Sequence, residues 1–362
     1  MRRIFFVSII ISFLAAMILA GIGFFCFSQP FFRAERNFLA LIDGEPEATS
    51  SAEQLTIDNN NPEVSIIFVG DIMLSRGVAQ KIKKHSDYNY SFLKIGDYLK
   101  SADFAFGNLE TSLFKGREIG PEEMLFRADP ELADVLHDFN FSVVSLANNH
   151  TMNFGKKALE DTLINLLKVG VEYTGAGSSG IEAYNPCVIT KKGIVFAFLA
   201  YTDSDVVPAF YFAATTTAGV ARMDINKMAK AVKLAKERAD FVIVSMHSGT
   251  EYKDEPNQRQ INFAHAAVDA GADLVIGHHP HIVQTAEKYK DKYIFYSLGN
   301  FIFDQRWWKT KEGIALKVIF DKQGIKQIEP QAIYIEDFSQ PTLLNEEAAQ
   351  KVISRLKIVL GQ

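Results

Sequence analysis

The sequence predicts an α/β fold with substantial parallel strand pairing, and two observations lead to this prediction. Short β-branched or aromatic runs alternate with amphipathic segments along most of the 362 residues, and this alternation is typical of parallel sheets. In addition, unusual polar residues follow many of the apolar runs. In open α/β sheets, ligands bind beyond the carboxyl ends of the strands, so these polar residues are candidates for a site.

The first half of the folded region starts with a β-branched run that ends at Gly70-Asp71. A later amphipathic segment carries Leu159, Leu163 and Leu166 on one side, as expected for a helix that packs on a sheet. The predicted strands here are Val64–Val69, Phe104–Phe106 and Phe141–Leu146, and the predicted helices are Gly77–Lys84, Ser91–Lys100, Pro130–Asp138 and Lys156–Val169.

The second half repeats this alternation and ends with a predicted antiparallel hairpin and a closing helix. The predicted strands are Ile194–Leu199, Phe241–Met246, Leu274–Ile276 and Tyr293–Leu298, the hairpin is formed by Ile314–Phe320 and Gln327–Ile335, and the helices are Ile225–Ala239, Gln260–Ala270 and Glu346–Leu360.

Charge and cysteine content exclude several classes of protein. The net charge is -5 and the pI is about 5.9, so nothing indicates nucleic-acid binding, which usually requires a basic patch or domain. The two cysteines are Cys26, in an apolar N-terminal run, and Cys187, alone in the folded part. Neither an intradomain disulfide nor a thiolate metal site is expected.

The N-terminus has the features of a membrane anchor. Arg2 and Arg3 precede an almost uninterrupted apolar run over residues 4–27, which is long enough to cross a hydrocarbon core of about 30 Å. The flanking arginines favour a cytoplasmic N-terminus and an extracytoplasmic C-terminal domain. A cleavable signal peptide is the alternative, but bulky Phe24-Phe25-Cys26-Phe27 suits cleavage poorly. We predict a transmembrane segment at 1–28, a flexible stalk at 29–62, a folded domain at 63–340 and a C-terminal helical segment at 341–362.

Five predicted strand ends offer metal ligands. The order along the chain is Asp71, Glu110, Asn148-Asn149-His150, His247 and His279-Pro280-His281. Each has a simpler explanation when taken alone, for example an N-cap for Asp71 or turn chemistry for the asparagines. All five together indicate a site. If the last strand continues through the histidines, alternation would place His279 and His281 on one face.

The chemistry of this set indicates the kind of ion. Carboxylate, amide and imidazole ligands suit Mn, Fe or Zn, with one or two ions bound. A pair of such ions can activate water and stabilise both oxygens in a displacement at phosphorus.

Arg76 either meets an anionic substrate or forms a salt bridge on a helix surface. Trp307 and Trp308 are either a substrate-facing platform or a buried aromatic pair.

Six longer motifs resemble the bacterial capsule synthesis protein family of CapA and PgsA. The resemblance extends from about Val64 to Ile335. The motifs are Val69–Arg76, Gly107–Glu110, Ser145–Gly155, Met246–Tyr252, Gly277–Gln284 and Ser297–Gln305. The family's fold is similar to that of calcineurin-like metallophosphatases, which implies a four-layer sandwich of two mixed sheets flanked by helices. Its members are associated with poly-γ-glutamate and other capsule polymers and are commonly membrane-anchored.

The resemblance also implies residue roles. Asp71 resembles a metal-bridging aspartate that takes part in catalysis, and His150 a general acid or transition-state stabiliser. The implied metal ligands are Asp71, Glu110, Asn149, His247, His279 and His281. Residues expected to orient these ligands or to contact substrate are Arg76, Asn148, His278, Glu251, Asn300 and Asp304.

Two positions differ from the metallophosphatase pattern, which has Asp-x-His in its first motif and a Gly-Asp aspartate in its second. This chain has Met73 at the third position of the first motif, and Glu110 follows Gly-Asn-Leu in the second.

The expected activity is metal-dependent hydrolysis or transfer at a phosphoester during the making, export or anchoring of an anionic surface polymer. The alternatives are a non-catalytic accessory or polymer-binding subunit that works with other capsule synthesis proteins, and a hydrolase of phosphoesters unrelated to capsule.

Overall fold

Two mixed β-sheets form the centre of the computed structural model, which describes residues 62–358. The strands are β1 (Val64–Ile72), β2 (Phe104–Leu109), β3 (Ser112–Leu113), β4 (Arg127–Ala128), β5 (Phe141–Ser145), β6 (Glu172–Thr174), β7 (Ala176–Gly177), β8 (Cys187–Lys191), β9 (Ile194–Thr202), β10 (Gly219–Val220), β11 (Phe241–His247), β12 (Leu274–His278), β13 (Ala286–Tyr289), β14 (Lys292–Phe295), β15 (Asn300–Ile302), β16 (Glu312–Asp321), β17 (Gly324–Glu336) and β18 (Gln340–Leu343).

Helices connect most of the parallel strands. They are α1 (Arg76–His85), α2 (Gly96–Lys100), α3 (Leu132–Asp138), α4 (Gly155–Lys168), α5 (Gly180–Tyr184), α6 (Ile225–Lys236), α7 (Gln258–Ala270) and α8 (Glu346–Ile353). Single 3₁₀ turns occur at Tyr90–Phe92, Ala209–Tyr211, Trp308–Lys311 and Ser354–Leu356.

The eight-stranded sheet has the order β18-β17-β16-β1-β2-β5-β6, with β15 also paired to β1. The six-stranded sheet has the order β13-β14-β12-β11-β9-β8. Parallel pairs occupy the middle of the six-stranded sheet and the β1-β2-β5-β6 half of the eight-stranded sheet. The β16–β17 hairpin, β8 and β13 add antiparallel strands. This confirms the predicted α/β class with substantial parallel pairing and the predicted hairpin.

The packing produces four layers. In β1, Ile66 and Phe68 join a core between the two sheets, whereas Ile67 and Val69 join a second core beneath the helices of the first sheet. This alternation is the period of two expected for a strand. A third core lies between the six-stranded sheet and helices α6 and α7. Because both faces of β1 are covered, its sequence is a continuous apolar run.

The chain crosses from one sheet to the other shortly before β15. We predicted one strand over Tyr293–Leu298, but β14 ends at Phe295, and the following residues leave the six-stranded sheet. Asn300 then pairs with Asp71 at the end of β1. The approach is so close that a Cβ on Gly70 would overlap the carbonyl oxygen of Gly299. Glycine is therefore required at position 70 for this crossing.

One predicted helix is also wrong. Ser91–Lys100 forms the 3₁₀ turn at Tyr90–Phe92 and the five-residue α2, not one helix. The short helix begins at Gly96, where a Cβ would collide with the ring of Phe139. Close packing and a glycine therefore override the local helical pattern.

The predicted transmembrane segment at 1–28 and nearly all of the predicted stalk at 29–62 lie outside the described residues. Within residues 62–358, no helix is both long enough and apolar enough to cross a membrane. At the other end, α8 contributes Ala349 and Val352 to the core between the sheets.

Candidate metal centre

The polar strand ends of both sheets meet at one edge, and Asp71 lies at their centre. Its side chain is fully buried near the end of β1. Oδ1 accepts a hydrogen bond from Asn108 Nδ2 at 2.8 Å, and Oδ2 accepts one from the backbone N–H of His279 at 3.2 Å. Burial alone would raise the pKa of Asp71, but interactions with His278 and His281 outweigh burial and hold it well below its usual range. Asp71 is therefore a carboxylate aimed at the histidine motif.

Glu110 is the second buried carboxylate of the site. Glu110 is fully buried, and its Oε1 accepts a hydrogen bond from Asn108 Nδ2 at 3.1 Å. Oε2 has no hydrogen-bond partner. Burial, and then the negative charge of Asp71, raise the pKa of Glu110 well above its usual range. A bound cation would supply both the missing partner and the missing positive charge, since a buried carboxylate without either is costly.

Asn108 is the residue that sequence reasoning missed. It precedes Glu110 by two positions on β2, and its Nδ2 also lies 3.1 Å from His247 Nδ1. Together with the bonds to Asp71 and Glu110, one amide nitrogen approaches three acceptors of the site. The available signal was an asparagine within an otherwise apolar strand, because asparagine disfavours strands and a buried one needs polar partners.

The neighbouring Asn148 fixes which way that amide points. Asn148 Oδ1 accepts hydrogen bonds from the backbone N–H groups of His150 and Thr151, both at 3.0 Å. Its Nδ2 must then donate, and it does so to Asn108 Oδ1 at 3.1 Å and to the carbonyl of Leu109 at 2.8 Å. The Asn108 NH₂ group therefore faces Asp71. Asn148 itself shapes the loop, as asparagines do in turns.

His150 is buried and stacks on Phe126 with ring centroids 3.7 Å apart. Its Nδ1 lies 2.9 Å from Asn153 Oδ1, which also accepts the backbone N–H of Phe126 at 3.0 Å. Because that oxygen is an acceptor, His150 holds its proton on Nδ1 and leaves the Nε2 lone pair available. Burial lowers the pKa of His150 to about 3, so the ring is neutral at physiological pH.

His247 ends β11 and contacts the neighbouring loop. Its Nε2 lies 3.0 Å from Asn149 Oδ1, and its ring centroid lies 4.8 Å from that of His279. Burial, and then the charge of His279, lower the pKa of His247 well below its usual range. The structure thus brings Asn149, His247 and His279 together, and their roles as metal ligands stay a prediction.

The explanation based on strand alternation for His279 and His281 is wrong. β12 ends at His278, and the two following histidines adopt left-handed backbone conformations with φ of 98° and 59°. Such φ values are costly for residues other than glycine and cluster at functional sites. The turn nevertheless brings the two rings to a centroid distance of 6.0 Å. A strained turn places these side chains.

Asn300 orients His281. The Asn300 Nδ2 donates to the carbonyl of Thr310 at 2.9 Å, so its Oδ1 faces His281 Nδ1, also at 2.9 Å. His281 Nδ1 also lies 3.5 Å from Asp71 Oδ2. Burial would lower the pKa of His281, but Asp71 raises it above the usual value. His281 Nδ1 therefore carries a proton and Nε2 is left available as a ligand atom, and the orienting role of Asn300 stays a prediction.

His278 and His279 carry further buried nitrogens without partners. Both ring nitrogens of His278 and Nδ1 of His279 make no hydrogen bond. His278 Nδ1 lies 3.4 Å from Asp71 Oδ1, which is within range of an ion pair but lacks hydrogen-bond geometry. Burial lowers the pKa of His279 to about 4. A divalent ion would supply a partner to these buried imidazole nitrogens.

Arg76 and Asp304 form a buried ion pair beside the site. Arg76 has a left-handed φ of 48°, and its guanidinium lies 4.7 Å from the ring centroid of Phe126. One nitrogen pairs with Asp304, whereas Nε has no partner. Of the two predicted possibilities, the salt bridge is observed, but it is buried and does not lie on the helix surface. Met73 is buried, and its sulfur accepts the backbone N–H of Ser75 at 3.1 Å.

Two groups of potential ligands share His281. Within residues 62–358, the donor atoms of Asp71, Glu110 and His281 lie within 4.8 Å of one another, and so do those of Glu251, His279 and His281. The first group is buried, whereas Glu251 is partly exposed. Oxygen and imidazole donors in this number fit a divalent transition metal. The unpartnered atoms of Glu110, His278 and His279 agree with that fit.

Known proteins similar to this chain support the resemblance in sequence. Residues 65–305 match the family described as "Bacterial capsule synthesis protein PGA_cap". The "PGA biosynthesis protein CapA" of Bacillus subtilis (strain 168) is 34% identical over 295 residues, which cover 81% of this chain and 77% of the relative. The "Capsule biosynthesis protein CapA" of Bacillus anthracis is 32% identical over 287 residues, covering 77% and 69% respectively.

A solved structure with a similar chain trace is the calcineurin-like phosphoesterase YfkN from Bacillus subtilis. It has a TM-score of 0.45 and 13% identity, and the likeness covers 82% of this chain and 97% of that chain. The four layers follow from the packing of this chain. The family match covers most of the folded domain and agrees with both CapA relatives. The chain therefore belongs to the bacterial capsule synthesis protein family, PGA_cap.

Proposed function

We propose that this protein is a metal-dependent phosphoester hydrolase or transferase that acts in the biosynthesis, export or anchoring of a capsule polymer. One observation supports this proposal above the others. Glu110 Oε2 is a buried carboxylate oxygen without a partner, among imidazole nitrogens that also lack partners. Nothing in a purely structural role requires so many unsatisfied polar atoms in one place.

The residues that would hold the ion are Asp71, Glu110 and His281, with His279 and Glu251 beside them. A divalent ion bound there supplies Lewis-acid activation of water and of a phosphoryl oxygen. We propose that one ion binds tightly and any second ion weakly. The Asn108 amide already donates to the acceptors that a second ion in the buried group would need.

We propose that two residues act on a substrate. His150 presents the Nε2 lone pair, and an anionic substrate beside it would favour protonation at that atom. The proton can then pass from Nε2 to a leaving oxygen. Arg76 keeps one guanidinium nitrogen, Nε, without a partner, and its charge disfavours protonation of His150. We propose that Arg76 helps to bind the anionic group.

The relatives and the N-terminal sequence support proposals for the polymer and for the location of the protein. The names of the two CapA relatives concern PGA and capsule biosynthesis. We propose the same context here, with poly-γ-glutamate or another anionic polymer as the product and with other capsule synthesis subunits as partners. The charged and apolar pattern of residues 1–28 supports a single membrane span with an extracytoplasmic domain. Protease added to intact cells should remove that domain if this orientation is correct.

The experiment that tests the site uses the purified full-length chain. Bound metal is measured by elemental analysis before and after reconstitution with Mn, Fe or Zn, and phosphodiester and phosphomonoester hydrolysis are then assayed. We expect about one tightly bound ion per chain and hydrolysis that depends on it. His265→Ala is a matched control, because His265 lies on α7 and pairs with Glu287, outside the ligand groups.

The outcomes separate the two functional classes. If no transition metal binds before or after reconstitution, the metal-site proposal is wrong. If metal binds and no phosphoester is cleaved, the result favours the alternative of a non-catalytic accessory subunit.

A further inference from the structure

An exposed group of aromatic side chains borders the candidate metal centre. We call Tyr252, Trp307 and Trp308 the aromatic wall. Their exposed fractions are 44%, 42% and 54%, so the predicted alternative of a buried tryptophan pair is wrong. Trp307 packs nearly edge-on against Tyr252, with ring centroids 5.9 Å apart, and 6.3 Å from Trp308. Large aromatic rings grouped in water mark a binding surface.

Hydrogen bonds connect the wall to the metal centre. His281 Nδ1 faces Asn300 Oδ1, Asn300 Nδ2 donates to Gln305 Oε1 at 3.0 Å, and Gln305 Nε2 donates to the Tyr252 hydroxyl at 3.3 Å. The Tyr252 backbone N–H also donates to the carbonyl of Pro280 at 2.9 Å. The Tyr252 and His281 ring centroids are 6.2 Å apart. A molecule extending out of the centre past His281 therefore meets the wall.

Two cations beside the wall are not paired with a carboxylate of the described residues. Lys253 follows Tyr252, and Arg306 precedes Trp307. Both are exposed, and neither forms an ion pair with a carboxylate of the described residues. Both cations are thus available to an anionic ligand at the two ends of the wall.

Other cations already lie over the tryptophan faces. Lys309 Nζ lies 5.5 Å from the ring centroid of Trp307 and 5.8 Å from that of Trp308, and the Arg355 guanidinium lies 5.4 Å from Trp308. Cations attracted to these faces obstruct the stacking of a neutral sugar ring. Lys309 and Arg355 are themselves paired with Asp254 and Glu312. The carboxylates of a ligand would therefore pair with Lys253 and Arg306, while its aliphatic stems pack against the ring edges.

We propose that the aromatic wall is a second binding site, which holds a chain bearing several carboxylates on short aliphatic stems. This inference rests on the proposed function in one respect, because the same chain would extend into the metal centre. Carboxylates along it would pair with Lys253 and Arg306, while Tyr252 and Trp307 cover its methylene groups.

The sequence provides its own probe for this site. The chain has two tryptophans, Trp307 and Trp308, so its tryptophan fluorescence reports on the wall alone. The experiment titrates the full-length chain, in chelator, with an oligomer of γ-linked glutamate and follows tryptophan emission. We expect a saturable change that weakens as salt is added, because exposed charges are screened.

Two variants identify the surface. Arg306→Gln should weaken binding about fivefold, which corresponds to about 1 kcal/mol. Tyr252→Ala keeps both tryptophan reporters and should weaken it about tenfold. Lys322→Gln is the matched control, because it removes one positive charge at the turn between β16 and β17, and it should bind like the wild type.

Three results would overturn the proposal: no saturable change in emission, equal weakening by Arg306→Gln and Lys322→Gln, or the same response to neutral cellohexaose as to oligoglutamate. The last result would identify a saccharide site. Because the titration uses metal-free protein, binding here can be found even if the metal centre proves inactive. Conversely, if the metal centre is active but the oligomer does not bind, the proposal for the aromatic wall is wrong and the proposed function is unaffected.

Discussion

Asn108→Asp is the substitution that tests how the metal centre is built. In the wild type, the Asn108 amide nitrogen lies 2.8 Å from an oxygen of Asp71 and 3.1 Å from one of Glu110. A carboxylate would replace a donor by a negative charge at that position. Glu110 favours its protonated form because burial raises its pKa, so Asp71 supplies most of the repulsion. At about 3 Å and an effective dielectric constant of about 20, this repulsion is about 5 kcal/mol.

Proton uptake by the new carboxyl group would relieve part of that energy. We therefore expect the metal-free variant to lose about 4 kcal/mol of unfolding free energy, which lowers its Tm by about 10 °C. With Mn²⁺ this loss of stability should disappear, because the third carboxylate adds a metal ligand. The variant should then bind a second ion tightly and regain its lost stability, since a ligand that binds only the folded state stabilises it.

The assay combines thermal unfolding in chelator and in Mn²⁺ with elemental analysis of the metal per chain. Asn108→Ala is the control, because it removes the same donor and adds no charge. The reasoning is refuted if the aspartate and alanine variants unfold at the same temperature without metal. It is also refuted if the wild type itself retains two ions per chain after exhaustive dialysis.

Three further predictions follow from single contacts. His150→Ala should keep the metal and lose turnover, whereas His279→Ala should lose the metal; equal metal loss in elemental analysis would contradict this division. Arg76→Gln should destabilise the fold by about 3 kcal/mol in denaturant unfolding, because it leaves Asp304 charged and buried without its partner; an unchanged midpoint would contradict the ion pair. In the metal-free protein, the folded-state pKa of His279 of about 4 lies below its unfolded value of about 6.5. The unfolded state therefore binds the proton first, so stability should fall by about 3 kcal/mol as the pH drops from about 6.5 to about 4, and His279→Gln should flatten this slope in chemical unfolding.

The α/β class and the family could be predicted from the sequence. Continuous apolar runs such as β1 require burial on both faces, and each is followed by a polar residue that has no reason to lie in a core. Asp71, Glu110, His247 and the histidine motif were identified in this way, and the structure brings all of them to one edge. The family match confirms the resemblance that the six motifs indicated.

The crossing before β15 could not be predicted, because its cause is non-local. The apolar run around Ile294 satisfies the pattern of a longer strand. Only the close approach of Gly70 to Gly299 shows that the chain must leave that sheet to reach β1. Through this crossing, Asn300 comes within hydrogen-bonding distance of His281.

By itself, the sequence determined which chemical groups stand at the strand ends, since residue types and spacing suffice for that inference. The tertiary structure alone decided how each group is oriented and what it contacts. It showed Asn108 as the donor among the acceptors of the site, a left-handed turn as the support of His279 and His281, and Trp307 in water. Hydrogen-bond direction, backbone strain and exposure depend on neighbours that are distant in the chain, and no local pattern records them.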